Sequence, residues 1–359
     1  MRGIKEVQFR PTDVDRDKDL PTFDNTKLTA INTCPTWGLL RYEHHKAMPG
    51  AGRAMALEAG SAMHDVFAAV RLWQLRFVQG HTDLFEYHGK RLFGPQRWER
   101  MTEFLVTDGG DETERLNFCL EALYTNGFHD DPGDRRRTVR NLEECAIRYI
   151  AEYEWTRRPV WVRAPHDPTS DVGIEVPFDI VITFIFENED EFSIRFVGKM
   201  DGVHVEDDET VVIEENKTAS RLGDAWMQSF EMSSQVTGYA MAIALWVQQP
   251  VNKAIVRGVA IPLPKTYDYG GVVAVPVKRE QHHFEHWLNW VRHTVFEVWL
   301  PYKDDVIHAP RYTHSCNRYF RPCSMLPFCA VPDDEKEQVL SEMEYKPWSP
   351  LHEEHESSE

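Results

Sequence analysis

Between residues 173 and 218 the hydrophobic pattern is that of extended chain, broken by two acidic tetrapeptides at 187–190 and 206–209. Segments 173–186, 191–205 and 210–218, joined by such short polar turns, must lie side by side as a meander. Around them the period is helical. Residues 52–79 read as a long helix before the meander, and 222–248 and 279–300 read as helices after it. A further strand, Lys-Ala-Ile-Val-Arg-Gly-Val-Ala-Ile-Pro, is predicted at 253–262. The order helix, three strands, helix, strand, helix predicts an α/β fold with a central mixed sheet flanked by helices.

The rest of the chain divides by composition. Residues 1–25 are polar, with alternating charge from Asp13 to Lys18, and read as a flexible arm. N-terminal helices over 26–79 follow, then a helical insertion at 80–165, a core at 166–305 and a cysteine-rich segment at 306–332. Residues 333–359 hold ten acids and two bases, a net charge of −8, and read as a solvated acidic tail. The whole chain of 359 residues carries −18, which argues against a sequence-independent wrapper of nucleic acid but allows a small metal-assisted site. No apolar run approaches the ~18 residues of a membrane span and no export signal is apparent, so a soluble, cytoplasmic protein is expected.

Chemistry concentrates in the second and third strands. The second holds Gly198-Lys199-Met200-Asp201-Gly202-Val203 and the third Val211-Val212-Ile213-Glu214-Glu215-Asn216-Lys217-Thr218. Side chains alternate along a strand, so Glu215 and Lys217 share a face and Glu214 takes the other. On that reading Glu214 is a bystander whose loss is nearly neutral. A hairpin brings Asp201 toward Glu215, and two carboxylates at close range call for a cation between them. Mg²⁺ or Mn²⁺ suits such hard oxygen ligands. Taken alone the pattern also fits a solvated hairpin with surface ion pairs. Three further elements add weight: Gly60 and His64 on one face of the long helix, Gln235 and Tyr239 at i and i+4 after the third strand, and Glu175 as a weaker acidic candidate. Lys199 and Arg221 are the other bases close by, and Arg135, Arg136 and Arg137 form a short run in the insertion that could meet phosphates. Tryptophans such as Trp226, Trp287, Trp290 and Trp299 could stack on bases, though at helical spacing they also suit a core.

The ordered set Gly-x-x-x-His, Gly-x-x-Asp-Gly, Glu-x-Lys-Thr and Gln-x-x-x-Tyr resembles the RecB-like exonuclease branch of the PD-(D/E)XK nuclease superfamily, over roughly residues 26–78 and 173–262. The resemblance implies that His64, Asp201 and Glu215 bind the catalytic Mg²⁺ or Mn²⁺, with the Asn216 carbonyl as a further ligand. It implies that Lys217 acts on the attacking water and that Gln235 and Tyr239 support substrate. Glu215 stands where aspartate is frequent in the superfamily.

Six cysteines sit at 34, 119, 145, 316, 323 and 329. Cys34 and the trio Cys316-x6-Cys323-x5-Cys329 are similar to the iron–sulfur subset of these nucleases, which includes CRISPR-associated and phage RecB-like exonucleases and the AddB nuclease domain. By that resemblance Cys34, Cys316, Cys323 and Cys329 hold a [4Fe–4S] cluster that staples the N- and C-terminal segments. Zinc and buried free thiols are the alternatives, while Cys119 and Cys145 fall in helical stretches and read as core. The reading is a metal-dependent DNA exonuclease acting on single strands or ends, in recombination, repair or phage DNA processing, with room for a recombination or helicase partner. The competing readings are a catalytically idle DNA-end-binding or scaffold subunit and a zinc-stapled structural protein.

Overall fold

The computed structural model describes residues 4–49, 55–106, 109–156, 158–263, 271–318 and 321–350. In chain order its main elements are β1 Ile4–Pro11, β2 Thr22–Phe23, α1 Asn25–Thr33, α2 Pro35–Tyr42, α3 Met55–Trp73, α4 Thr82–Thr102, α5 Glu112–Tyr124 and α6 Val139–Glu152. They continue as β3 Ile174–Phe186, β4 Glu191–Val205, β5 Val211–Ala219, α7 Asp224–Gln228, α8 Ser234–Val247, β6 Lys253–Ala260, β7 Val272–Lys278, α9 Gln281–His293 and α10 Lys336–Glu342. The fold is α/β with a mixed sheet flanked by helices. No helix of the described residues is long and apolar enough to cross a membrane.

The chain forms two compact units. One comprises Met1–Gly52, Pro177–Gly198 and Gln281–Glu359. In it β1 runs antiparallel to β3, from Pro11↔Ile180 to Ile4↔Phe186, and β2 runs parallel to β4 at Thr22↔Arg195 and Phe23↔Phe196. The expected flexible arm is therefore corrected from residue 4 onward. Its alternating charges are not all solvated: Asp17 is buried and accepts two hydrogen bonds from the Arg10 guanidinium, at 2.5 and 2.6 Å. Asp24 caps α1 by accepting from the Lys27 amide, and the Lys27 ammonium lies 2.7 Å from Glu43. The Trp299 indole N–H donates to the same carboxylate at 2.8 Å.

The acidic tail is likewise corrected as far as residue 350. Lys336 is fully buried, hydrogen-bonded to Asp333, with its ammonium 5.7 Å from the Phe328 ring centroid. Glu344–Tyr345 pairs antiparallel with Lys46–Ala47. Trp348 meets the Tyr42 ring edge-on and donates its amide to His45. Lys336 and a few apolar side chains thus dock a segment whose net charge reads as solvated. Residues 351–359 of that tail lie outside the described residues.

The other unit comprises Arg53–Val176 and Lys199–Glu280. Here β4 and β5 form an antiparallel pair from Gly202↔Glu214 to Val205↔Val211. Strand β6 lies parallel to β5, with Lys217 opposite Gly258, and β7 antiparallel to β6. The turn joining β4 to β5 places Glu209 at φ 65, and the turn joining β3 to β4 in the first unit places Glu189 at φ 64. Each acidic tetrapeptide thus contains one left-handed glutamate, third of the four in one and last in the other. The apolar stripe of α3, including Met63, Val66, Phe67, Val70 and Trp73, packs with α4, α5 and α6 into a core that also buries Cys119 and Cys145. Helix α4 kinks at Gly94, just before Pro95. The long helix expected at 52–79 ends its α-helical turns at Trp73 and widens into a π-helical turn over Gln74–Val78, and its residues 52–54 lie outside the described residues. The helix expected at 222–248 is two helices, α7 and α8.

Candidate active site

Strand alternation sends Asp201 of β4 and Glu215 and Lys217 of β5 to one face, and α3 brings His64 to the same place. Nδ1 of His64 lies 3.2 Å from Oδ1 of Asp201. The other Asp201 oxygen accepts from the Asn216 amide at 2.5 Å, so the backbone of β5 holds this carboxylate directly. Nζ of Lys217 lies 2.5 Å from Oε1 of Glu215. Asp201, Glu215 and Glu175 are buried, whereas His64 and Lys217 each keep a third of the side chain exposed. One side of the cluster is dry and the other opens to solvent.

Glu175 belongs at the centre. Among the described residues, one ligand atom from each of His64, Glu175 and Asp201 lies within 4.8 Å of the other two. Glu175 sits at φ 47, a left-handed conformation that a side chain adopts at a cost and that marks functional positions more often than chance. That dihedral breaks the alternation of β3, so Ile174, Glu175 and Val176 are buried in succession. Lys199 pairs with Glu175 at 2.7 Å. Sequence periodicity could rank Glu175 only as a weaker acid, because periodicity assumes the regular backbone that this residue abandons.

The electrostatics are those of a site short of positive charge. Burial pushes Glu175 up to about 7, and burial together with Asp201 pushes Glu215 up to about 7. Burial works against charge on Asp201, but His64 and Lys217 hold it below the usual carboxylate range. Burial also opposes the His64 imidazolium, yet the Asp201 carboxylate carries it up to about 9. Oε1 of Glu175 and Oε2 of Glu215 are buried with no hydrogen-bond partner among the described residues. Orphaned carboxylate oxygens in a cluster of buried acids are what a hard divalent ion satisfies, and an octahedral ion with ~2.1 Å bonds needs ligands about 3–4 Å apart. The residues present fit such an ion.

The profile of the PD-(D/E)XK nuclease superfamily matches residues 25–330. The chain belongs to that superfamily. Comparison with curated proteins finds no match. Membership in the PD-(D/E)XK superfamily makes this a nuclease fold whose members work with divalent metal, and the matched span takes in every residue named above. The remaining sequence candidates fall as follows. Gln235 and Tyr239 do meet on α8, where the Gln235 amide donates to the Tyr239 hydroxyl at 2.8 Å. A Cβ on Gly60 would reach only ordinary contact with Thr218, at 3.7 Å, so that glycine is not demanded by close approach. Arg137 is engaged by Asp134 at 2.6 Å, and Asp134 also accepts the amides of Arg136 and Arg137.

Behind the strand the expectation of a bystander fails. Glu214 is completely buried, with Arg71 of α3 at 2.8 Å, Arg257 of β6 at 3.1 Å and His204 of β4 at 3.6 Å. Burial opposes its charge, but the two guanidiniums hold Glu214 down to about 2, and burial keeps His204 neutral by lowering it to about 3. Gly202 makes room for this arrangement, since a Cβ there would fall 2.4 Å from Cζ of Arg71. Arg71 lies two helical turns beyond His64, so the ion pair fastens the helix bearing His64 to the strand bearing Glu215. Tyr149 donates to the Asn216 side chain at 3.1 Å on this same rear face.

Proposed function

We propose that the protein is a divalent-metal-dependent DNA exonuclease that hydrolyses phosphodiester bonds on single strands or DNA ends. The observation that carries this reading is the convergence of His64, Glu175 and Asp201 beside the Glu215–Lys217 pair, with two buried carboxylate oxygens that have no hydrogen-bond partner among the described residues. His64, Asp201, Glu215 and Glu175 would hold Mg²⁺ or Mn²⁺. When bound, the ion supplies a Lewis acid for the phosphoryl oxygen and an acidified water as nucleophile. The Asn216 amide fixes one Asp201 oxygen and leaves the other facing His64. Burial disfavours the Lys217 ammonium, but Glu215 and Asp201 outweigh it and raise its pKa. Lys217 therefore stays charged and acts as a donor, orienting water or phosphate at Nζ. Gln235 and Tyr239, hydrogen-bonded to each other, would brace the substrate side.

The test is digestion of end-labelled linear and closed circular single strands with Mg²⁺, Mn²⁺ or EDTA. Linear strands should shorten from an end, circles should persist, and EDTA should stop the reaction. Activity should rise as the pH climbs through about 7, where Glu175 and Glu215 release the protons that compete with metal. Rapid cutting of circles would overturn the exonuclease mode, and undiminished cleavage in EDTA would overturn the metal site.

We further propose a [4Fe–4S] cluster on Cys34, Cys316, Cys323 and Cys329. Support comes from Cys34, held in extended conformation between α1 and α2, and from a cavity of about 240 Å³ bordered by Cys34 and Cys323. The Cys323 amide donates to the Cys316 carbonyl at 2.8 Å. Burial pushes the Cys329 thiol up to about 11, and the other three thiols lie near enough to push it in the same direction. Arg311 lies near enough to oppose that rise, and four thiols gathered in one place can serve as thiolate ligands to a cluster or to zinc. Anaerobically purified protein should be brown and contain about four iron and four sulfide per chain. Stoichiometric zinc without sulfide would replace this assignment with a zinc staple.

A further inference from the structure

The segment that leaves β5 after Lys217 does not lead straight into α8. It first folds into the short helix α7, which carries Trp226, followed by Phe230 and Met232. The end of the Trp226 indole rests on Gly258: a Cβ on that glycine would fall 2.3 Å from Cη2 and 2.8 Å from Cζ3 of the ring. Gly258 is the residue opposite Lys217 in the parallel β5–β6 pair. Opposed residues in a sheet send their side chains to the same face, and neighbouring strands lie ~4.8 Å apart. Trp226 therefore stands on the catalytic face, one strand spacing from the backbone of Lys217. The Phe230 ring meets it edge-on, with centroids 4.7 Å apart. Both rings are half-buried, and Met232 beside them is 62% exposed.

The rings are also held in place. Arg279 is buried and its guanidinium donates to the carbonyls of Phe230, Glu231 and Ser233 at 2.9, 3.0 and 3.2 Å, with Nε on the Thr237 hydroxyl at 2.8 Å. A buried cation given over to main-chain carbonyls fixes the loop that follows α7, so these aromatics are preorganised. The cluster of buried side chains built on α3 to α6, which reaches β6 at Val259, does not include Trp226 or Phe230.

We propose that Trp226, buttressed by Phe230, is a base-stacking residue that receives one unpaired base of the nucleotide next to the cleaved phosphate. This rests on the nuclease reading and deepens it. In a duplex the faces of each base are taken up by its neighbours, so a stacking surface this close to the catalytic lysine selects unpaired or frayed strands. Stacking on an aromatic ring is indifferent to base identity, because every base offers a π face.

The test measures binding in Ca²⁺ and cleavage in Mg²⁺, using a set of fluorescent oligonucleotides that each carry one abasic nucleotide at a successive position. For the unaltered protein, one abasic position should weaken binding roughly 5- to 150-fold. Trp226→Leu keeps an apolar side chain over Gly258 but no π face; it should bind the intact strand more weakly by a similar factor and lose sensitivity to the abasic position. Trp226→Phe should retain part of both. Cleavage without abasic sensitivity in the unaltered protein, or abasic sensitivity that survives in Trp226→Leu, overturns the stacking role alone. Base-sensitive binding without cleavage sinks the nuclease reading and leaves the stacking surface standing. Failure to bind any strand overturns both.

Discussion

Asp201→Ala is expected to abolish both Mn²⁺ binding and cleavage, whereas Lys217→Ala keeps metal and DNA binding and loses turnover. The difference follows from what each side chain can do. Asp201 is a buried anion held by the Asn216 amide and facing His64, so its removal takes a ligand out of the proposed metal site and leaves the imidazolium without its partner. Lys217 bears a positive charge and cannot serve as a ligand. It reaches the site as a single charged donor, and removing one such donor from a preorganised site costs about 10²–10³ in rate. Lys217→Arg should recover part of this by restoring charge without the compact ammonium geometry. Calorimetric Mn²⁺ titration and single-turnover cleavage separate the two effects. Full turnover in Lys217→Ala, or unchanged Mn²⁺ affinity in Asp201→Ala, would overturn the assignment of roles.

Glu214→Ala should cost about 3–5 kcal/mol of stability, the range for breaking a buried ion pair from one side. The substitution would leave Arg71 and Arg257 in the interior with no compensating carboxylate. Denaturant unfolding in the metal-free protein measures this, because added metal would otherwise mask part of the loss by binding the native state. A double replacement, Glu214→Leu with Arg71→Met, should recover part of the loss, since it removes the Arg71 charge with its desolvation cost while Arg257 stays unpaired. His64 and Glu215 would then lose the clamp between their supporting elements, so this variant should fold better than Glu214→Ala while binding metal more weakly than the unaltered protein. A Glu214→Ala protein of normal stability would show that the rear cluster is hydrated rather than dry.

Much of the site was legible because it lies where the chain is most regular. The two acidic turns fix the register of the meander, and alternation then puts Asp201, Glu215 and Lys217 on one face. Periodicity says which face a side chain takes but not what covers it. Glu214 was assigned to the correct side, yet its partners come from a helix more than 140 residues earlier and from a strand formed 40 residues later. Glu175 escaped full notice because its left-handed backbone suspends the alternation. Strand β7 escaped because Pro276 interrupts its signal; the proline is tolerated at the end of the pairing order, where a ladder hydrogen bond can be lacking. Strand β1 and the docked tail escaped for a shared reason. Charges are as frequent as Ile, Val and Phe in β1 and outnumber the apolar residues in the tail, and a few pairs such as Arg10–Asp17 and Lys336–Asp333 neutralise the charges that count.

The pairing of β1 with β3 has a temporal side. Residues 4–11 leave the ribosome before their partner, 180–186, which is made about 170 residues later. At ~5–20 residues per second that is a wait of roughly 10–30 s, during which an unpaired strand with free backbone groups is open to wrong partners. The charges within β1, Lys5, Glu6 and Arg10, are placed to act as gatekeepers that keep the nascent strand soluble until its template arrives.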